Sequence, residues 1–139
     1  MVRIDARFSL VTWAEEPTYK PDAGARLAHA RITYRYQGEL EGEGEAQSIL
    51  RYTADGSGTG LGFERVTGTL RGRTGSFVLE HHTAFGLVNG QHKVTGGATV
   101  VPGTGTGGFA GLKGSATLAL QGQAPDYPLT LDLELPGLG

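Results

Sequence analysis

The amino-acid sequence predicts an all-β protein, a sandwich or a small barrel, on three observations. Apolar and polar residues alternate along most of the chain, which is the period of a half-buried strand and not of a helix. Eight such stretches follow one another, most of them separated by Gly- or Asn-rich turns. Glycine is abundant, at 24 of 139 residues, but has no every-third-residue period, and proline is modest at 6, so collagen-like and disordered chains are excluded. One domain spanning residues 1–139 is expected, long enough to bury roughly two-thirds of its unfolded surface.

The first strand, residues 2–12, puts Val2, Ile4, Ala6, Phe8 and Leu10 on one face and Arg3, Asp5, Arg7 and Ser9 on the other. A polar connection from Glu15 to Arg26, punctuated by Pro17 and Pro21, is long for a turn and suited to covering one mouth of a barrel. Residues 28–46 alternate without a break, with Ala28, Ala30, Ile32, Tyr34, Tyr36, Leu40 and Gly44 on one face. Their opposite face carries His29, Arg31, Thr33, Arg35 and the row Glu39, Glu41, Glu43 and Glu45. That run exceeds an ordinary strand, so a bend or bulge is expected at Gly38–Gly44. Strands near 46–53, 60–71, 75–86, 91–101, 114–121 and 128–135 follow.

Two hairpins can be placed in register. Asn89-Gly90 is a type I′ signal that pairs Val88 with Gln91, Phe85 with Val94, Thr83 with Gly96 and His81 with Ala98. A turn at Arg73-Thr74 pairs Gly72 with Gly75 and sets Leu70 opposite Phe77, Val66 opposite His81 and Glu64 opposite Thr83. Glu64 and His81 then become diagonal neighbours on one inward face, about 7 Å apart at the backbone.

A carboxylate and an imidazole on an apolar face admit two readings. They are a buried polar pair that fixes strand register, since burial without a partner is costly. Alternatively they are an acid/base pair or a ligand anchor in a dry interior. Tyr34, Tyr36 and Tyr52 face the same way as core aromatics whose hydroxyls need partners, which a ligand or water could supply. With Ser48, Phe77 and Thr83 they form the candidate ligand lining.

Other chemistries find little support. There are no cysteines, so disulfides and thiol catalysis are excluded. The net charge of −2 shows no basic excess for tracking a phosphate backbone. His81 and His82 are strand neighbours that point to opposite faces, and His92 lies roughly 17 Å along the ladder from His82, so no shared zinc site is expected. The four glutamates of the 39–45 row are strung out along a strand, as a solvated face and not a calcium site. Gly103-Thr-Gly-Thr-Gly-Gly108 formally matches a dinucleotide fingerprint, but Gly111 and Gly114 interrupt the helix that motif requires. No nucleophile triad or cofactor cradle is read. No signal-peptide core or membrane-spanning run occurs, which makes the cytoplasm the expected location.

Several segments resemble a known family. In order they are Trp13-Ala-Glu-Glu-Pro17, Gly38-Glu-Leu-Glu-Gly42, Tyr52-Thr-Ala-Asp-Gly56, Gly62-Phe-Glu-Arg-Val-Thr-Gly-Thr-Leu-Arg-Gly72, Gly75-Ser-Phe-Val-Leu-Glu-His81, Val101-Pro-Gly-Thr-Gly-Thr-Gly107 and Gly111-Leu-Lys-Gly114. They follow the order seen in the DUF3224 family of bacterial proteins of unknown function. The family's usual Leu-Asp-Tyr-Asp near its end is Leu131-Asp-Leu-Glu134 here, so any role of that tyrosine is absent. The resemblance implies a closed eight-stranded antiparallel barrel like that of allene oxide cyclase, around a mostly apolar cavity. Plant oxylipin cyclases and some bacterial natural-product cyclases share that barrel, and the plant enzyme's catalytic residues do not map onto matching motifs here.

The expected function is binding of a small, mostly apolar organic molecule without a cofactor. An alternative is a cofactor-free isomerase, cyclase or proton-transfer enzyme using Glu64 and His81. A second alternative is a filled barrel acting as a structural or interaction module. A homo-oligomer is expected from the resemblance and from Ile49 and Val11 facing outward among polar residues.

Overall fold

A computed structural model of the protein describes residues 1–21, 24–122 and 124–138. Its strands are β1 (Val2–Tyr19), β2 (Arg26–Gly38), β3 (Leu40–Tyr52), β4 (Gly58–Leu70), β5 (Arg73–Val88), β6 (Gln91–Val100), β7 (Thr106–Gly107), β8 (Lys113–Gln121) and β9 (Tyr127–Glu134). Eight of them close a ring in the order β1-β2-β3-β4-β5-β6-β8-β9, every pair antiparallel, and no helix occurs among the described residues. The two-residue β7 pairs with Gly75 and Ser76 of β5, outside the ring.

The strand boundaries differ from expectation in two places. Residues 28–46 are not one bent strand, because Gly38, at φ 99°, ends β2, and β3 runs from Leu40 to Tyr52, taking in most of the strand expected near 46–53. Tyr36 pairs with Gly42, an even separation, so the alternation passes through the turn and both strands keep the same inward set. Glu15 to Tyr19 of the expected polar connection belong to β1, and residues 22 and 23 of it lie outside the described residues. A bulge at Val11 lets Leu10 pair with Tyr34 and Thr12 with Thr33. That extra residue reverses the faces, so Trp13 and Glu15 align with Ile32 and Ala30 on the inner side.

The β5–β6 hairpin has the expected register, with Val88 opposite Gln91 and His81 opposite Ala98. The β4–β5 hairpin does not. Its turn is Arg71-Gly72, both at positive φ (49° and 78°), and Leu70 pairs with Arg73. Glu64 therefore lies opposite Leu79, His81 opposite Gly62 and Phe77 opposite Val66. Arg71 sustains an unfavourable conformation for its residue type through long-range contacts, donating to the Leu138 carbonyl at 3.1 Å and to Glu39 at 3.3 Å.

One end of the barrel is filled. Phe77 and Phe109 meet edge to face at 5.3 Å, surrounded by Leu40, Leu70, Leu112, Leu135 and Leu138. Burying each such side chain contributes about 1.5–3 kcal/mol. Phe77 was expected to line a ligand site and instead belongs to this plug, 1% exposed. The glycine-rich 103–108 stretch forms turns and β7 here. Thr104 and Thr106 accept hydrogen bonds from the Val78 and Ser76 amides at 3.1 and 3.0 Å, covering the part of β5 that β6 does not reach.

The other end is open at one seam. β1 pairs with β9 only from Val2 to Phe8, and β8 pairs with β9 only through Thr117. Beyond these points no strand pairing among the described residues closes the ring between β1 and β8, and at this side opening Leu10 and Trp13 are 50% and 47% exposed.

Candidate functional site

Above the plug the barrel encloses a cavity of about 380 Å³ that reaches the side opening. Its walls are mostly apolar and aromatic: Phe8, Ile32, Tyr34, Leu50, Leu79, Phe85, Leu118 and Tyr127. Small inward residues on β2 and β3, Ala28, Ala30, Gly44 and Ala46, keep the space open on one side.

Glu64 sits in the floor, 0% exposed, near the middle of β4. Tyr36 donates its hydroxyl proton to Oε2, and His81 Nε2 lies 2.5 Å from Oε1. The three residues come from β2, β4 and β5, and the diagonal offset of Glu64 and His81 across the ladder lets their side chains meet. Gly44 makes the space, since a β-carbon there would lie 1.8 Å from Glu64 Oε2. The His81 side chain keeps 19% of its surface exposed, so the imidazole touches both the buried carboxylate and the cavity.

The phenols around this group are held in their neutral form. Burial, and then the Glu64 charge, push the Tyr34 and Tyr36 hydroxyls well above the ordinary tyrosine range. Nearer the mouth, burial and then a hydrogen bond to Glu15 raise Tyr52 to about 12. Glu15 also accepts the Trp13 indole N–H at 3.1 Å, and the Tyr52 hydroxyl lies 2.8 Å from the same oxygen.

These shifts make a titration prediction. A raised phenol pKa means that the contribution to stability is present below the free-tyrosine value of about 10 and is lost as pH rises through the folded values. Tyrosinate absorbance from Tyr34 and Tyr36 should therefore appear only as the barrel unfolds in alkali. Tyr52→Phe should remove a component with a midpoint at about 12. Ionisation of Tyr36 in a still-folded barrel, followed by near-UV absorbance and circular dichroism together, would contradict this.

The other candidates fall into place around the floor. Tyr34, Tyr36, Ser48, Tyr52, Glu64, His81 and Thr83 all line the cavity, and Phe77 does not. Ser48 donates to the Leu61 carbonyl at 3.3 Å. His82 points outward and lies 2.8 Å from Glu80, while the glutamates of the 39–45 row are exposed. Among the described residues no three His, Asp or Glu side chains come together as a metal site. Trp13 and Glu15 were not among the sequence candidates, because a bulge reverses the alternation just before them.

Fold and site together define a class: a small eight-stranded antiparallel barrel, plugged at one end, with an apolar cavity over a buried carboxylate. The chain belongs to the DUF3224 family, described as a protein of unknown function, whose match covers residues 4–132. It is similar to the crystal structure of a DUF3224 family protein of unknown function from Shewanella oneidensis MR-1. That likeness has a TM-score of 0.78 and 25% identity, covering 97% of this chain and 98% of the other. No curated protein matches the chain.

Proposed function

We propose that the protein binds a small, mostly apolar organic molecule inside the barrel, with Glu64 and His81 orienting one polar group of the ligand. The observation that carries this reading is a fully buried carboxylate under open space. A pair serving register alone requires no cavity above it, whereas here about 380 Å³ lies over the Tyr36–Glu64–His81 group. That volume is at the small end of ligand sites, and apolar walls with a few convergent polar groups are their usual composition. A filled-barrel module accounts for the plugged end and leaves the cavity unexplained.

Trp13 is the single tryptophan and stands at the cavity mouth, so its fluorescence is a built-in reporter. Native mass spectrometry of the purified protein should reveal a co-purifying small molecule that is lost on denaturation. Titration with a panel of small apolar ketones, enones and phenols should quench or shift the Trp13 emission. Glu64→Gln should weaken the best of them by at least about tenfold, as expected when a charged hydrogen-bonding partner is removed. Absence of both a co-purifying molecule and a fluorescence response would sink the proposal.

A second reading follows from the position of His81. An imidazole that touches both a buried carboxylate and the cavity is placed to move a proton, which favours a cofactor-free isomerase or cyclase. Turnover of a bound compound that falls about 10²-fold in Glu64→Gln, in a folded barrel, would select it. Binding without turnover leaves the first reading in place.

A further inference from the structure

The outer face of β2–β5 carries an apolar cluster that the cavity does not account for. Ile49 and Leu61 are direct cross-strand partners, and they are 49% and 51% exposed. Phe63, the next outward residue on β4, is 53% exposed, and Leu27 on β2 is 37% exposed. Apolar clusters of this kind, rimmed by charge, mark interaction surfaces.

The charges around the cluster are ordered. Reading across β2, β3, β4 and β5, one row is Arg31, Gln47, Phe63 and Glu80. The row on one side of it is His29, Ile49, Leu61 and His82, and the row on the other side is Thr33, Glu45, Arg65 and Val78. A two-fold axis that lies in an interface, parallel to the strands and between β3 and β4, turns a second copy over and reverses every row. Ile49 then meets the partner's Leu61, Arg31 meets the partner's Glu80, and Glu45 meets the partner's Arg65. Each contact is made twice, as isologous symmetry requires.

We propose that this face is the interface of a homodimer with that two-fold axis. The central contact is apolar, where two convex barrels approach most closely. The Arg31–Glu80 pairs lie further out, where the surfaces curve apart and long charged side chains can still span the gap. A two-fold axis at right angles to the strands, between the rows of Arg31 and His29, makes neither of these charge contacts, since it sets Arg31 against the partner's His29 and Glu45 against the partner's Arg51.

Mixing two charge variants tests the arrangement. Glu45→Arg alone sets arginine against the partner's Arg65, and Arg65→Glu alone sets glutamate against the partner's Glu45. Sedimentation velocity should show a wild-type dimer, and each variant alone should dimerise at least about tenfold more weakly. An equimolar mixture of the two should recover the dimer as a heterodimer, because each mismatch is then paired with its opposite. Glu45 and Arg65 are also neighbours within one chain, but mixing leaves that relation unchanged, so recovery reads the interface alone. Both sites are exposed, and circular dichroism confirms that each variant is folded. A wild-type monomer at the highest soluble concentration, or a mixture no more associated than its components, would overturn the proposal.

Discussion

Gly44→Ala should destabilise the barrel by about 3 kcal/mol or more in denaturant unfolding, a large effect for a single methyl group. The added β-carbon would lie 1.8 Å from Glu64 Oε2 and 3.1 Å from Tyr36 Cε2. Moving either neighbour breaks the polar group they share. Glu64 is fully buried and tied to both Tyr36 and His81, and Tyr36 is itself 5% exposed. Displacing the carboxylate breaks its hydrogen bonds and leaves a buried charge unpaired, which costs about 3–5 kcal/mol. In a Glu64→Ala background the same Gly44→Ala change should cost far less, because the colliding group is gone. The difference between the two backgrounds is the coupling energy of this pair of sites. Equal costs in both would mean that the glycine answers to something other than the carboxylate.

The fold class was legible because strand alternation survives local errors. Asn89-Gly90 is chemically unambiguous, and the hairpin built on it has the expected register from Val88 down to Leu79. The preceding hairpin was expected to turn at Arg73-Thr74, with Gly72 opposite Gly75, and turns two residues earlier. Its choice of Arg71-Gly72 is backed by Arg71 contacts to Leu138 and Glu39, which no local window contains. Even so, Glu64 and His81 meet. The true pairing moves the partner of Glu64 from Thr83 to Leu79, an even number of residues, so one diagonal contact simply replaces the other.

What alternation cannot give is height and interruption. Phe77 has the inward parity expected of it, but the plug of Phe109 and Leu112 fills its level of the barrel. Trp13 and Glu15 face inward because one extra residue at Val11 resets the pattern, and nothing in Leu10-Val-Thr12 announces a bulge.

The largest contrast is expected between breaking the polar group at the cavity floor and removing it whole. Tyr36→Phe alone should cost about 1.5–3 kcal/mol, since it takes a hydrogen bond from a charged, fully buried acceptor. Glu64→Met alone should cost a similar amount or more, because it strands the Tyr36 hydroxyl beside an apolar group. Tyr36→Phe, Glu64→Met and His81→Leu made together orphan nothing and roughly conserve volume. Replacing a buried ionic group in this way is commonly neutral or stabilising by about 1–4 kcal/mol. The triple variant should therefore be as stable as wild type, or more so, in guanidinium unfolding, with the barrel intact. Its affinity for whatever ligand the cavity holds should at the same time fall by at least about tenfold. That combination would mean that the barrel carries Tyr36, Glu64 and His81 for their chemistry toward an occupant, at no benefit to its own folding. A triple variant that loses the barrel would instead show that the group is needed to specify strand register, and ligand affinity would then have to be sought in the apolar walls.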